Sequence, residues 1–316
     1  MHDIQTIHTN NNPITTANNV DFGEFYNMFI NYIDASENTI KTYTRAIKQF
    51  IKFMYDNGVT QPKREDILRY RQTLLEDGKK ASTIQNYIIA IRQLFNFTEA
   101  KGLYPNIAKG VKGAKISKSH KKDYLTSKQA GSVLNRINTD DLKGLRDYAI
   151  VALMLTGGLR TIEVSRANIE DMRAVGDSTA LYIQGKGRDD RTEYIKVIAE
   201  VEEAIRAYLS ARGQTDFKAP LFASTSNNNA GERMTTRSIS GIVKTALVDA
   251  GFNNDRLTAH SLRHTAGTLN LLNGGTLEET QQLLRHQNIG TTMIYLHHLE
   301  REKNNSEARI GKAIFK

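Results

Sequence analysis

Between Leu257 and His298 the chain reads LTAHSLRHTAGTLNLLNGGTLEETQQLLRHQNIGTTMIYLHH, and this stretch permits little but a string of short helices. Two polar islands, AHSLRHT and RHQNIGTTMIY, flank an apolar run of helical period. His260 and Arg263 are three apart and so share a helix face. Leu262, Leu269, Leu271 and Leu272 are then expected to point into a core. Gly274 and Gly275 end that helix, because glycine takes the left-handed conformation at little cost. Thr276 and Glu279 have the spacing of a capping box, which starts a second helix running to about Arg285. His286, Asn288 and Gly290 form a turn, after which Thr291 or Thr292 is expected to cap a last helix carrying Tyr295. One compact segment thus brings together two histidines, an arginine and a phenol.

A phenol of pKa ~10 is a weak nucleophile at neutral pH unless its surroundings help it. Arginine and histidine donors suit a phosphoryl group whose charge grows in the transition state. The chain has no cysteine, no nucleophile-elbow serine and no zinc-protease helix. The set therefore suits phosphoryl transfer to Tyr295. The competing reading makes these the surface residues of a helical hairpin, with Tyr295 half buried in the core.

Upstream, one pattern occurs twice. Thr39 to Phe50 and Thr83 to Leu94 both follow T-I-x-x-Y-x-x-A-I-K/R-Q. Each has an apolar face, Ile40, Tyr43, Ile47 and Phe50 in the first and Ile84, Tyr87, Ile91 and Leu94 in the second. With a helix at Phe22–Tyr32 and another at Arg64–Glu76, residues 21–108 make a four-helix domain closed by Gly58, Gly78 and Gly102. The polar helix starts offer Thr39, Lys41, Thr42, Arg45 and Lys48, and then Thr83, Gln85, Asn86 and Arg92, as candidate DNA contacts. A plain bundle with solvated faces is the alternative.

Residues 1–20, rich in Asn and Thr, read as a disordered tail. From Leu103 to Lys122 the chain is basic and glycine-containing without apolar period, and 109–122 is expected to be a linker whose Lys118, Lys121 and Lys122 either track a phosphate backbone or belong to a solvated tether. A second domain, 123–316, opens with Thr126 capping a helix to about Ile137, followed by an apolar helix at Leu142–Leu155. Gly157 and Gly158 break it, and Arg160 and Glu163 lie three apart on the next short helix, so the carboxylate can orient the guanidinium, although such a pair is more often a surface ion pair. Thr179–Gln184 and Arg191–Val197 alternate as strands of a hairpin with Lys186 between two glycines at its tip. Asn168–Met172 is a candidate first strand. Helices at Val201–Ala211 and from Thr235 or Thr236 to Ala250 complete the approach to Leu257. Ile310, Ala313 and Ile314 form a small apolar stripe near the C-terminus.

The fold class is therefore mainly α with a small antiparallel β-sheet. The chain carries 43 Lys and Arg against 34 Asp and Glu, a surplus compatible with a polyanionic partner. It has no apolar run long enough to span a membrane and no signal-peptide pattern, so a cytoplasmic protein is expected.

The ordered set TGGLRTIEV with Arg160, the hairpin Lys186, HSLRH with His260 and Arg263, RHQNIGTT with His286, and Tyr295 resembles the tyrosine recombinases, also called phage integrases. The resemblance runs from about Asp21 to the C-terminus. It departs from the usual pattern in having two glycines, Gly157 and Gly158, before Leu159. The N-terminal tail is also too short for the arm-binding domain of some integrases. It implies a helical core-binding domain, a catalytic domain and a C-terminal helix that couples subunits. Tyr295 becomes the nucleophile, Arg160, Arg263, His260 and His286 the phosphate ligands and proton carriers, Lys186 the general acid, and Glu163 a buttress behind them. The implied partner is double-stranded DNA with specific core sites, recombined by a homotetramer on two duplexes through a Holliday junction, with no cofactor and no metal. Integration or excision of a mobile element is the expected role, and resolution of chromosome or plasmid multimers the alternative. A type IB topoisomerase fits less well, and a DNA-binding regulator with a dead site would lack one of the six residues. His264, His297 and His298 receive no role.

Overall fold

The computed structural model describes residues 22–115, 123–185, 190–214, 216–295 and 304–315. The chain divides into two units, residues 1–119 and 120–316.

In the first unit, α1 (Phe22–Ile33), α2 (Glu37–Asp56), α3 (Arg64–Glu76) and α4 (Ala81–Ala100) pack around α4. The two echoed helices differ in burial. In α2 only one stripe is covered, Ala46, Ile47, Phe50 and Met54. In α4, Ile88, Ala90, Phe95 and Phe97 are buried beside Ile84, Tyr87, Ile91 and Leu94, because α1, α2 and α3 all lie against it. Phe97 meets the edges of Phe25 and Phe29, and Phe50 and Phe53 tilt against Tyr70. Such ring pairs add roughly 0.5–1.5 kcal/mol beyond the area they bury.

The segment expected to be a linker begins as part of this unit. Ala108 and Val111 are buried in its core. Arg64 donates to the Lys109 carbonyl at 2.6 Å and Arg71 to the Lys112 carbonyl at 2.7 Å. Leu103, Tyr104, Ile107 and Ala114 pack against the same core, so the apolar residues of this segment belong to the first unit and the linker starts later than expected. Gly113 runs so close to α4 that a Cβ there would meet the Gln85 side chain at 1.9 Å.

The second unit is built on α6 (Leu142–Gly157), buried along most of its circumference from Ala149 to Leu155. Packed near or against it are α5 (Ser127–Asn135), α8 (Ala199–Arg212), α9 (Thr236–Asp249), α10 (Ala259–Leu272) and a three-stranded antiparallel sheet. The strands are β1 (Met172–Val175), β2 (Ser178–Ile183) and β3 (Glu193–Val197), with Met172 opposite Leu181 and Leu181 opposite Ile195. Asn168 does not begin a strand. Its N–H donates to the Asp171 carboxylate at 2.8 Å, closing a 3₁₀ turn at Ile169–Asp171 from which β1 starts. The short α7 (Thr161–Arg166) follows α6 directly.

After α10 come α11 (Leu277–Leu284), α12 (from residue 289, described to 295) and α13 (Ser306–Ile314). The Thr276–Glu279 capping box is formed in both directions, at 3.1 and 2.7 Å. Leu272 is exposed rather than in the core, since α10 has already left its partners. The α12 cap is Asn288, whose side chain accepts from Gly290 N–H at 2.7 Å, and neither Thr291 nor Thr292 fills that role. In α13 no side chain is buried, and Ile310 and Ile314 stand exposed. No helix among the described residues is long and apolar enough to cross a membrane.

Candidate active site

The site grows from the end of α6. Gly157 remains helical, and a Cβ there would strike Ile195 of β3 at 2.2 Å. Gly158 is left-handed (φ 58°), a conformation disfavoured for L side chains. That reversal launches α7 with Arg160 at its N-cap. Glu163, one turn on, is buried. Its Oε1 accepts from the Arg160 guanidinium at 2.7 Å, and its Oε2 accepts from the Arg160 backbone N–H at 2.8 Å. Burial alone would raise the Glu163 pKa, but Arg285 and Arg160 overcome it and hold the carboxyl below its usual value.

Arg263 comes from α10 and is 1% exposed. It donates to the Gly158 carbonyl at 2.6 Å and to the Leu284 carbonyl. Burial, then the charges of Arg160 and Arg285, lower its pKa to about 9. His260, one turn earlier, is exposed and lines a cleft of about 530 Å³ with Arg160, Thr161, Ser240, Lys244 and Thr258.

The turn after α11 supplies the rest. His286 Nδ1 lies 2.9 Å from the Thr292 hydroxyl, and its backbone is held at both ends by Gln281. Burial, then Arg263, Arg160 and Arg285, lower its pKa to about 4, so the imidazole is neutral at physiological pH. A Thr292 hydroxyl that donates to Nδ1 leaves the ring proton on Nε2. The Tyr295 ring stacks on His286 with centroids 6.4 Å apart and 10° between planes. It is buried, which raises its pKa to about 12 against the opposing pull of Arg263 and Arg160.

Arg160, Glu163, His260, Arg263, His286 and Tyr295 therefore converge. Tyr295 is buried, as the core reading expected, and the residues that lie against its ring are His264 and His286. Lys186, Lys118, Lys121 and Lys122 lie outside the described residues, as do His297 and His298. Among the DNA-contact candidates, Lys41, Thr42, Arg45 and Lys48 are exposed along α2, where Lys41, Arg45 and Lys48 line a groove of about 560 Å³. Thr39, Thr83, Gln85 and Arg92 are partly covered, and Asn86 is exposed.

Sequence reasoning missed three residues. His264 packs edge-on to His260 (4.6 Å) and against Tyr295 (5.1 Å). Lys244 lines the cleft from α9. Arg285 pairs with Glu163 at 2.8 Å. Only the i,i+4 spacing of His260 and His264 was a usable signal. No group of three or more His, Asp or Glu among the described residues is arranged to hold a metal ion.

The Phage integrase family pattern matches residues 123–302, and that of the Phage integrase N-terminal SAM-like domain matches residues 23–102. A tyrosine recombinase of Synechocystis sp. is 30% identical over 277 residues, 82% of this chain and 86% of its own. The chain belongs to the tyrosine recombinases. A second relative of the recombinase, XerD of Listeria monocytogenes, is 27% identical over 281 residues, 83% of this chain and 88% of its own. Two solved structures share the recombinase's fold. The XerH site-specific recombinase bound to palindromic difH substrate matches with a TM-score of 0.69 and 19% identity, over 92% of this chain and 83% of its own. A lambda integrase dimer bound to a core site matches with a TM-score of 0.66 and 16% identity, over 86% and 94%.

Proposed function

We propose that the recombinase cuts and rejoins DNA at specific core sites through a 3′-phosphotyrosine, to integrate or excise a mobile element. The observation that carries this is the Tyr295 ring lying over His286 and within the field of Arg263 and Arg160. In this reading Arg160 and Arg263 hold the non-bridging oxygens of the scissile phosphate, whose growing negative charge they stabilise. Their positive field also favours the phenolate that burial disfavours.

Tyr295 Oη attacks phosphorus and the bond to the 5′-oxygen breaks. Lys186 supplies the proton that the departing 5′-hydroxyl needs, a step that contributes ~10²–10⁴-fold in rate. His260, exposed at the cleft, takes the phenolic proton and returns it on resealing. Neutral His286 donates from Nε2 to a phosphate oxygen. Glu163 keeps Arg160 in place. The 5′-hydroxyl of a second strand then attacks the phosphotyrosine and releases Tyr295, so each bond broken is matched by one formed and no nucleotide cofactor is consumed.

Residues 21–108 serve as the core-binding domain, residues 123–316 as the catalytic domain, and the basic segment up to Lys122 joins them. A homotetramer spanning two duplexes is the acting form. Support for that comes from a lambda integrase tetramer bound to a Holliday junction, whose fold the chain shares (TM-score 0.64 at 15% identity, over 86% of this chain and 76% of its own). A second role, resolution of joined replicons at a fixed site, is favoured by the Xer names of several relatives.

The test uses a nicked duplex built on the site the protein selects from a random library. The wild type should give a denaturant-resistant protein–DNA adduct, and Tyr295→Phe should bind equally and give none. An adduct of equal yield with the Phe variant would assign another nucleophile. Strand exchange between that site and unlinked DNA supports integration, whereas activity confined to two copies on one circle supports resolution.

A further inference from the structure

Arg285 sits where a glycine would be expected. It is the C-cap of α11, with φ 51° and ψ 49°, a left-handed conformation that strains any residue with a Cβ. Its side chain turns inward and is 4% exposed. The guanidinium donates to Glu163 Oε2 at 2.8 Å, to the Gly158 carbonyl at 3.3 Å, to the Gly157 carbonyl at 3.4 Å and to the Leu283 carbonyl. A strained backbone and a buried cation behind two other cations are both unfavourable. Simple helix termination needs neither.

The partners indicate what the arrangement gains. Glu163 has two oxygens. Oε1 holds the Arg160 guanidinium; Oε2 already accepts from the Arg160 backbone N–H, and Arg285 takes its remaining lone pair, so no acceptor is left there for a second prong of the Arg160 side chain. Such fork-to-fork pairing is the strong form of the arginine–carboxylate contact, and it would draw Arg160 back from the cleft. The Gly158 carbonyl that Arg285 touches is also the anchor of Arg263. Arg285 therefore bears on both guanidiniums without reaching the cleft itself.

We propose that Arg285 is a positioning residue for the phosphate-binding pair: it restrains Glu163 so that Arg160 stays directed at the cleft, and it braces the carbonyl that fixes Arg263. This rests on reading Arg160 and Arg263 as the phosphate ligands.

The test compares the full-length wild type with Arg285→Gly and Arg285→Lys on two nicked substrates, one with the natural scissile phosphodiester and one with a methylphosphonate there. The neutral methylphosphonate has less charge for the two arginines to balance. Arg285→Gly removes both the guanidinium and the backbone strain. It should bind the site normally but cleave the phosphodiester roughly 10- to 100-fold more slowly, the scale of a catalytic group displaced by about an ångström. On the methylphosphonate its deficit should shrink to about threefold or less. Arg285→Lys keeps the charge and the strain but loses the fork, and should fall between on the phosphodiester. It also carries the test if the glycine variant does not fold. Wild-type cleavage by both variants would overturn the proposal, as would an equal loss on both substrates, which marks a merely structural role. A wild type that forms no adduct on either substrate would instead refute the phosphotyrosine reading.

Discussion

Replacing Glu163 by Gln should destabilise the second unit far more than so small a change suggests. The Glu163 side chain is 0% exposed and accepts from the Arg160 guanidinium, the Arg160 backbone N–H and the Arg285 guanidinium at 2.7, 2.8 and 2.8 Å. Glutamine keeps the shape but turns an amide donor toward one of the guanidinium donors and removes the carboxylate charge that both guanidiniums share. Breaking one side of a buried charge pair costs about 3–5 kcal/mol. In a unit of this size each kcal/mol lowers the midpoint by roughly 2–4 °C, so a fall of about 6–20 °C is expected. Calorimetry at pH 7.5 measures it directly. The sign with pH also follows. The folded Glu163 pKa is held below the unfolded value of 4.5, so its stabilisation is present above pH 4.5 and is lost as pH falls toward the folded value. The gap between wild type and variant should therefore narrow below pH 4.5 and be flat above it. A midpoint within 1 °C of wild type at pH 7.5, or a gap that widens on acidification, would refute the reasoning.

Gly158→Ala places a Cβ 2.7 Å from a methyl of Leu284 on a backbone with φ 58°; strain and repacking together should cost about 2–4 kcal/mol, read by denaturant titration. Alanine at Lys118, Lys121 and Lys122 should flatten the log–log salt dependence of DNA binding by up to about three units, leaving sequence preference unchanged; an unaltered slope would make that segment a tether. Lys186→Ala should cleave ordinary DNA slowly and regain its rate on a 5′-bridging phosphorothiolate, whose sulfur leaves without a proton. Arg188, two residues further along the same hairpin sequence, is the rival candidate, and rescue of Arg188→Ala instead would make it the general acid.

Much of the fold was legible because its signals are local. Arg64–Glu76 is helical as read, and the Thr276–Glu279 box is formed. The three-residue spacing of Arg160 and Glu163 announced their ion pair. What escaped depends on distance along the chain. Arg285 meets a carboxylate 122 residues earlier, and nothing near it in sequence suggested that a helix end would accept a left-handed arginine. Ala108 and Val111 are buried in turns whose lysines and glycines read as a linker, and Leu272 is exposed because its neighbours end before it does. The Asn288 cap was missed because two threonines stood nearby and residue preference alone does not rank such candidates. His264 looked like one polar residue among several until the Tyr295 ring lay against it.

The Gly158 carbonyl accepts from Arg263, 105 residues further along the chain, and from Arg285, 127 residues further. Contacts between residues so distant are slow to form, since the intervening chain must be ordered before they repay its loss of freedom. During synthesis the oxygen is made first and its two guanidiniums arrive long afterwards, with Tyr295 later still. A truncated or half-folded copy consequently lacks the contacts that fix Arg263 and Arg285 on the Gly158 carbonyl.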